Sequence, residues 1–435
     1  MSAELVERIW AHDPVVWTGN GEGEWLGWLD EPRRMLDRVH ELLEFATTAE
    51  YERVCLLGMG GSSLAPLVLG RLFESDVLHV LDTTHPSAVR RVPVEGTLFL
   101  SASKSGSTLE TRSHTDYFWE QSGQNWQQFV AITDPGSELE RAAADRGFLD
   151  VFHGEPTIGG RYSALSPFGI VPAALIGIDV HRLLERAEEM RDACRGAEGN
   201  PGLELGTALG EAAREGRDKV LVEGVFGLWV EQLLAESTGK HGQGLIPVVH
   251  GASDDVQRHE FRIEDPYEVG QEFFRWEFAT AVAGSILGIN AFDQPDVQAA
   301  KDKTNELLAS GEEPSLEPEG ELGELLDSAR DGDYVAIQAF VDPEREAELE
   351  PIVERAKATG RPVAVGLGPR YLHSTGQLHK GGPDTGLFVQ IVDDLGEELA
   401  IPGKPFGFRR LIAAQAAGDF QSLRERGRRI VRVRL

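Results

Sequence analysis

The sequence predicts an α/β protein in which parallel sheets are flanked by helices. Short, continuously apolar runs alternate with longer helix-like stretches, and the alternation occurs twice, before and after a Gly-bearing stretch at residues 196–204 that predicts an irregular linker. Strands that are apolar throughout are typical of parallel sheets covered on both faces. A chain of 435 residues fits about two to three domains. We predict a helical lead-in over residues 1–45, a first domain over 46–196 and a second domain over 197–435.

The predicted elements follow in chain order. Apolar residues at helical spacing between Leu36 and Phe45 predict an amphipathic helix in the lead-in. The strand candidates of the first domain lie at residues 54–57, 77–81, 98–100 and 129–132. Those of the second domain lie at residues 219–222, 245–249, 334–340, 363–367 and 387–392. The acidic stretch 309–321 predicts an exposed loop, and a last helix within 411–426 ends in basic residues, as helix C-termini favour.

Charge and composition argue against several classes of protein. Asp and Glu number 72 against 42 Lys and Arg, and the net charge of −30 disfavours nucleic acid or an anionic membrane as the main partner. No apolar run reaches the ~18 residues that a bilayer span needs. The first ten residues lack the basic and apolar segments of a signal peptide. Two cysteines are too few for a disulfide scaffold, so we expect a cytoplasmic protein.

Two loops rich in glycine and hydroxyl side chains follow strands of the first domain. LLGMGGSSLAP at 56–66 is a strand, a Gly-rich turn and a helix start near Ser62. SASKSGSTLET at 101–111 brings together Ser103, Lys104, Ser105 and Thr108. Several donors, one ammonium group and free amides at a helix start are what a phosphate monoester needs. The order is not that of a Walker A loop. A tight turn without a ligand remains the alternative for the first loop, and a Ser-rich N-cap loop remains the alternative for the second.

Three further segments carry charged or amide side chains in patterns that suit catalysis. GGRYSALSPFG at 159–169 places Arg161 after glycines that allow a ligand close to the backbone. Gln232 and Glu236 are four apart and share a helix face. Gln294 and Lys301 are seven apart, which is two helical turns. A structural arginine, a solvated glutamate and a surface lysine are the plain alternatives.

A sixth segment, LHSTGQLHKGGPDTG at 372–386, predicts a Gly-rich loop with two histidines between two strand candidates. Histidine titrates near neutral pH and therefore suits proton transfer. A metal site is the weaker interpretation, because only His373 and His379 occur here without Cys or carboxylate at ligand spacing.

Together the six segments resemble the phosphoglucose isomerase family. SKSGSTLET, GGRYSALS, QLLAESTGK and FDQPDVQAAK are similar to its signatures and occur in its order, over roughly residues 50–301, and the HSTGQLHKGGP tail resembles the isomerase half of transaldolase–phosphoglucose isomerase fusions. The resemblance implies two sugar isomerase (SIS) domains, each a parallel sheet flanked by helices, in a cytoplasmic homodimer with shared active sites. It also implies reversible conversion of glucose 6-phosphate and fructose 6-phosphate, in glycolysis and gluconeogenesis, with no metal or other cofactor.

The resemblance further implies roles for individual residues. The base falls on Glu236, the enediolate-stabilising arginine on Arg161 and a lysine near the ring oxygen on Lys301. The ring-opening histidine is predicted at His379, with His373 as the competing candidate. The implied substrate-binding residues are Gly61, Ser62, Ser103, Lys104, Ser105, Thr108, Gly160, Gln232 and Gln294.

Two alternatives differ in function. The first is a non-catalytic sugar-phosphate-binding regulator with SIS domains. Such regulators usually carry a DNA-binding helix-turn-helix, whereas this chain is strongly acidic and has Glu236 and Lys301 in place. The second is an isomerase that also accepts mannose 6-phosphate, because epimerisation at C2 passes through the same enediol.

Overall fold

Helices and strands alternate along most of the chain. The computed structural model describes residues 2–435. The α-helices are α1 (Ser2–Trp10), α2 (Glu31–Thr48), α3 (Leu64–Leu72), α4 (Pro86–Arg91), α5 (Leu109–Gln121), α6 (Glu138–Arg146), α7 (Pro167–Leu175), α8 (Val180–Ala193), α9 (Pro201–Arg214), α10 (Gly224–Thr238), α11 (Val269–Leu287), α12 (Gln298–Ser310), α13 (Leu322–Asp327), α14 (Glu350–Lys357), α15 (Gly376–Gly381) and α16 (Phe408–Glu425). The strands are β1 (Arg53–Leu57), β2 (Leu78–Leu81), β3 (Thr97–Ala102), β4 (Phe129–Thr133), β5 (Asp150–His153), β6 (Lys219–Leu221), β7 (Ile246–Val248), β8 (Val256–Arg258), β9 (Tyr334–Phe340), β10 (Val363–Leu367), β11 (Gly386–Val392) and β12 (Arg429–Arg434).

The first sheet has five parallel strands in the order β2-β1-β3-β4-β5. The chain moves from β1 to one side and then returns to the other side for β3, so the order reverses between these two strands. Leu57 lies opposite Ser101, so β1 and β3 end almost level. In open α/β sheets, ligands bind outside the carboxyl ends of the strands at such a reversal. Both loops rich in glycine and hydroxyl groups begin there.

The second region contains two parallel sheets, where the sequence predicts one. Their strand orders are β7-β6-β8 and β10-β9-β11-β12. An isolated antiparallel bridge between His250 and Val363 links the two sheets edge to edge. The α/β class with parallel sheets and flanking helices is confirmed, but the second region is divided more finely than predicted.

Two predicted loops are partly helical. In the stretch 196–204, helix α9 begins at Pro201, because the Asn200 side chain accepts a hydrogen bond from the backbone N–H of Leu203 at 2.8 Å. The segment 372–386 begins within a 3₁₀ turn over Arg370–His373 and contains α15. His373 therefore lies in the 3₁₀ turn and His379 in α15, so the two rings point in different directions.

A single apolar core joins the first sheet to the helices of the second region. Helix α11 is buried along most of its length and packs against α8, α9 and α10. Aromatic contacts extend this core to the lead-in, where Trp28 stacks on Tyr162 with ring centroids 5.3 Å apart. Helix α10 is thereby held against the loops that follow the first sheet. Within residues 2–435, no helix has both the length and the apolar character that crossing a membrane requires.

Candidate active site

A cleft of about 450 Å³ opens at the carboxyl ends of β1, β3 and β4. Helix α10, the start of α12 and the turn Arg370–His373 form its other walls. Most of the side chains singled out in the sequence line it: Gly61, Ser62, Lys104, Ser105, Thr108, Gly160, Arg161, Gln232, Glu236, Gln294, Lys301 and His373. Ser103 and His379 are not among the lining residues.

The loop after β3 presents hydroxyl groups at the start of α5. Thr108 is the N-cap residue of α5, and its side chain makes no capping hydrogen bond, so the first-turn amides stay free. Ser103 is buried instead of facing the cleft. Its Oγ lies 3.1 Å from Thr108 Oγ1 and accepts a hydrogen bond from the Gly106 N–H at 3.1 Å. Ser103 therefore shapes the loop, while Ser105 and Thr108 line the cleft.

Gly106 is required by the shape of the same loop. Its φ is +70°, and a Cβ atom there would lie 2.2 Å from the backbone nitrogen of Leu139. Both conditions exclude a side chain.

The two lysines of the cleft are in different electrostatic situations. The Lys104 ammonium forms an ion pair with Asp134 and donates to the carbonyl of Pro156 at 3.0 Å. Burial raises the pKa of Asp134, and the pairing with Lys104 only partly offsets this. Lys301 lies exposed on α12 and lines the cleft. Lys301 is thus the better placed of the two to offer its charge to an anion.

Glu236 and Arg161 meet on the opposite wall. Glu236 Oε1 lies 3.1 Å from Arg161 Nη1, and Glu236 Oε2 accepts a hydrogen bond from Gln232 Nε2 at 3.0 Å. Arg161 also donates to Gln294 Oε1 at 2.9 Å. Its remaining hydrogen bonds go to Ser237 Oγ and to the carbonyls of Ala291 and Asp293. The guanidinium is therefore fixed on all sides beside a partly exposed carboxylate.

The side-chain amide of Gln232 is paired through its nitrogen and, among the residues that the structure describes, unpaired at its oxygen. Its Nε2 donates to Glu236 and to the carbonyl of His373, at 3.0 and 2.9 Å, which fixes the orientation of the amide. Its Oε1 is buried and has no hydrogen-bond partner within the described residues 2–435. Buried polar atoms are almost always satisfied. A hydroxyl group of a molecule in the cleft would satisfy this one.

Lys240 lies below the cleft and binds the turn that carries Gln294. Its ammonium is fully buried and donates to the carbonyl of Asn290, the carbonyl of Asp293 and Asp293 Oδ1, each at 2.7 Å. Burial and the nearby charge of Arg161 lower its pKa to about 8. Sequence analysis assigned no specific role to this lysine, although it ends the QLLAESTGK motif.

His373 and Glu110 form a hydrogen-bonded pair at the end of the cleft. His373 Nε2 lies 2.8 Å from Glu110 Oε1. Burial opposes ionisation of Glu110, but the charge and hydrogen bond of His373 outweigh it and lower the pKa of Glu110 to about 2. An ionised carboxylate behind an imidazole stabilises the protonated ring. Sequence reasoning missed Glu110, although it lies inside the SKSGSTLET motif, two residues after Thr108.

The structure places His379 away from the cleft. Its ring is buried between Tyr371 and Phe388, with Nδ1 2.9 Å from Gln338 Nε2. Burial holds its pKa well below the usual range, which disfavours the protonated form. Helix α15 turns His379 toward the sheet of β9 and β11, whereas the preceding 3₁₀ turn presents His373 to the cleft. This geometry corrects the expectation for His379 in favour of His373.

Within residues 2–435, no three His, Cys, Asp or Glu side chains converge in a way that could hold a metal ion.

Comparisons with known proteins identify relatives of this chain. The family model described as "Phosphoglucose isomerase" matches residues 29–203. The chain is 25% identical to a "Probable glucose-6-phosphate isomerase" of Methanococcus maripaludis, over 66% of this chain and 85% of that protein. It is 36% identical to a "Glucose-6-phosphate isomerase" of Nostoc sp. over 42% of this chain and 39% of that protein. It is 35% identical to a "Glucose-6-phosphate isomerase" of Thermus thermophilus over 39% of this chain and 44% of that protein. The chain thus spans most of the first relative and less than half of the other two.

Solved structures share the fold. A glucose-6-phosphate isomerase from Chlamydia trachomatis superimposes with a TM-score of 0.57 at 19% identity, over 71% of this chain and 84% of that one. A hypothetical protein of Thermus thermophilus gives 0.51 at 21% identity, over 100% of this chain and 83% of that one. At these identities the likeness extends to the fold alone.

Proposed function

We propose that this chain belongs to the phosphoglucose isomerase family and interconverts glucose 6-phosphate and fructose 6-phosphate. The observation that carries the proposal is the composition of the cleft. A carboxylate beside a fixed arginine, Glu236 with Arg161, lies in the same cleft as a carboxylate-backed imidazole, Glu110 with His373. These two pairs supply a base and an acid, which are the two proton-transfer groups that a cyclic aldose phosphate requires.

The phosphate group of the substrate binds at the start of α5. Ser105, Thr108 and the first-turn amides of α5 donate hydrogen bonds, and Ser62 contributes from the loop after β1. The positive end of the helix dipole favours the dianion. Lys301 adds the cationic charge, because the Lys104 charge is already paired with Asp134.

Ring opening requires a proton on the ring oxygen. His373 delivers it, and the ionised Glu110 stabilises the imidazolium from which the proton leaves. Lys301 lines the same part of the cleft and orients the ring oxygen toward His373.

Isomerisation moves one proton between C2 and C1. Glu236 takes the proton from one carbon and returns it to the other on the same face of a cis-enediol, which a single carboxylate can reach. Arg161 lies next to this carboxylate, so its positive charge is close to where the enediolate oxygen becomes negative. The free Oε1 of Gln232 accepts a hydrogen bond from a substrate hydroxyl and fixes the sugar chain beside Glu236.

The homodimer and the cytoplasmic location remain proposals drawn from the family resemblance. The cleft itself argues for active sites that are not shared. All residues assigned a role above, including His373, belong to one chain. We therefore propose that a homodimer of this chain contains two self-sufficient sites.

An assay of the purified chain tests the proposed function. Fructose 6-phosphate is supplied, and product is read by a reporter specific for glucose 6-phosphate, with mannose 6-phosphate supplied in a parallel reaction. Turnover of fructose 6-phosphate is expected. Turnover of both substrates would identify the bifunctional isomerase, and tight binding of sugar phosphates without turnover would support the regulator and contradict the proposal.

A further inference from the structure

Four consecutive polar residues after β2 are buried outside the cleft. Asp82, Thr83, Thr84 and His85 are all less than a tenth exposed. Burying polar and charged side chains is costly unless each of them is hydrogen-bonded. The partners of this 82–85 segment are therefore informative, and they lie far away along the chain.

Asp82 binds Arg370 with both carboxylate oxygens. Arg370 Nε lies 2.6 Å from Asp82 Oδ2, and Arg370 Nη2 lies 2.8 Å from Asp82 Oδ1. A bidentate pair fixes orientation as well as distance. Arg370 is the first residue of the 3₁₀ turn that ends at His373. The ion pair thus attaches the turn that carries His373 to the end of β2 in the first sheet.

Thr84 reaches the other member of the proton-transfer pair through one side chain. Thr84 Oγ1 donates to Gln415 Oε1 at 2.7 Å, and Gln415 Nε2 donates to Glu110 Oε1 at 2.6 Å. This Glu110 oxygen is the one that faces His373. The other two residues fix the 82–85 segment in place. His85 Nε2 lies 3.3 Å from Asp393 Oδ1, and the carbonyl oxygen of Thr83 lies 3.0 Å from His114 Nε2.

We propose that Asp82 and Arg370 are positioning residues for ring opening, which hold His373 in line with Glu110 and the ring oxygen. The proposal rests on the proposed function, in which His373 is the acid. Neither Asp82 nor Arg370 lines the cleft, so both act through the turn between them and His373. Glu236 lies on a different wall beside Arg161, and Gln232 links it to the carbonyl of His373, so proton transfer by Glu236 depends less on this ion pair than ring opening does.

The test compares a ring-forming substrate with one that stays open. Fructose 6-phosphate must be opened, whereas a four-carbon aldose 4-phosphate has no free hydroxyl in position to close a stable ring. Asp82→Asn is expected to lower kcat on fructose 6-phosphate about 10- to 100-fold, the usual cost of misplacing a catalytic group by about 1 Å. The rate of proton exchange on the four-carbon substrate should change less than about 2-fold, because that exchange does not use His373.

A matched control removes an equivalent ion pair elsewhere. Asp333 binds Arg429 in the same bidentate manner, with both contacts at 2.8 Å, at the edge of the second region. Asp333→Asn should leave both rates unchanged. Arg370→Lys provides a milder second variant, which keeps the charge and loses the bidentate geometry. It should show a smaller loss confined to fructose 6-phosphate.

A double-mutant cycle separates positioning from general damage. In a chain that already carries His373→Ala, Asp82→Asn should cause no further loss on fructose 6-phosphate. Equal losses on both substrates, or an additional loss in the His373→Ala background, would overturn the positioning role. Failure of the proposed function gives a different result. The wild-type chain would then be inactive on fructose 6-phosphate, or the His373→Ala chain would turn it over at the normal rate. Either result would also contradict the positioning role.

Discussion

Single side chains of the cleft are held by buried partners that determine their charge. The charge and hydrogen bond of His373, 2.8 Å away, keep Glu110 ionised, and Arg161 is held beside Glu236 by hydrogen bonds to four other groups. Such preorganised charges act without rearrangement when the substrate changes charge. Removing one partner therefore alters the protonation or position of the other, which gives predictions for both activity and stability.

His373→Ala should slow the turnover of fructose 6-phosphate by about 10²- to 10⁴-fold, the usual effect of losing an acid catalyst. Exchange of the C2 proton on a four-carbon aldose 4-phosphate should be reduced far less, because no ring has to open. Steady-state kinetics and NMR exchange measure the two rates. His379→Ala is the companion variant, and a selective ring-opening defect in His379→Ala instead would reverse the assignment.

The His373→Ala variant should also unfold at a higher pH than the wild-type chain when the solution is acidified. The folded pKa of Glu110 is about 2 against an ordinary value of 4.5, so its ionised form contributes stability that is complete above pH 4.5 and is lost as the pH falls toward 2. The difference corresponds to about 3 kcal/mol. In His373→Ala, burial acts on Glu110 with only the weaker effect of the Lys301 charge and a backbone hydrogen bond opposing it, so the pKa of Glu110 rises and this loss moves to higher pH. Circular dichroism during acid titration measures the midpoint, and an unchanged midpoint would contradict the pairing.

The sequence indicated which residues belong to the site better than it indicated where their side chains point. Motifs located Glu236 and Arg161 because both stand in recognisable local patterns. His373 and His379 are six residues apart in one Gly-rich segment, and only the packing of α15 on the sheet decides which ring faces the cleft. The pairing of Lys104 with Asp134, thirty residues away, likewise depends on tertiary structure.

At the scale of elements, two loops meet backbone to backbone to form the floor of the cleft. A Cβ atom on Gly61 would lie 2.0 Å from the carbonyl oxygen of Gly160, whereas a Cβ atom on Gly160 would have no neighbour within 4 Å. The first loop follows β1, and the second leads into the turn that carries Arg161. The close approach of these two loops therefore sets the position of Arg161 relative to the loop after β1.

Gly61→Ala should destabilise the fold by about 1–3 kcal/mol, the typical cost of overpacking. It should also lower kcat, because the loop with Arg161 is displaced. Gly160→Ala is the matched control and should keep the wild-type melting temperature, since its methyl group enters open space. Thermal unfolding followed by circular dichroism compares the two, and equal melting temperatures for both variants would contradict this packing.

Strands that the sequence did not predict share one property, which is their place at a sheet edge. β5, β8 and β12 are each the last strand of their sheet. An edge strand has one exposed side, so its residues mix charged and apolar side chains, as in RIVRVR of β12. The central strands β3, β9 and β11 are buried throughout and are mostly apolar in sequence, with Gln338 in β9 and Gln390 in β11 as internal polar residues.

At the scale of the whole molecule, the first sheet and the C-terminal sheet together build one catalytic cleft. The first sheet supplies the phosphate loops and Glu110, α10 supplies Glu236, and the turn before α15 supplies His373. The Asp82–Arg370 ion pair joins the two ends of this arrangement. His373 of this chain therefore lies in the same cleft as Arg161 and Glu236 of the same chain.

Mixing two inactive variants tests whether sites are shared between copies. In a dimer with shared sites, Glu236→Gln and His373→Ala chains would combine to give one intact site. With self-sufficient sites, every site in a mixed dimer keeps one defect. Co-expressed and co-purified chains carrying different tags should therefore have no more activity than the sum of the separate variants. Regained activity in the mixed preparation would show that the histidine comes from the other copy.

The central claim is that Glu236 moves the proton in an isomerisation carried out by this one cleft. The most direct measurement is NMR of fructose 6-phosphate in D₂O with wild-type chain, Glu236→Gln and, as control, Glu223→Gln, which alters an exposed carboxylate at the start of the same helix. Wild type and Glu223→Gln should form glucose 6-phosphate that carries at C2 either the proton transferred from C1 or deuterium acquired when the Glu236 proton exchanges with solvent. Glu236→Gln should be slower by about 10²- to 10⁴-fold with an unchanged circular dichroism spectrum. Near-normal turnover by Glu236→Gln, or no glucose 6-phosphate from the wild-type chain, would contradict the account.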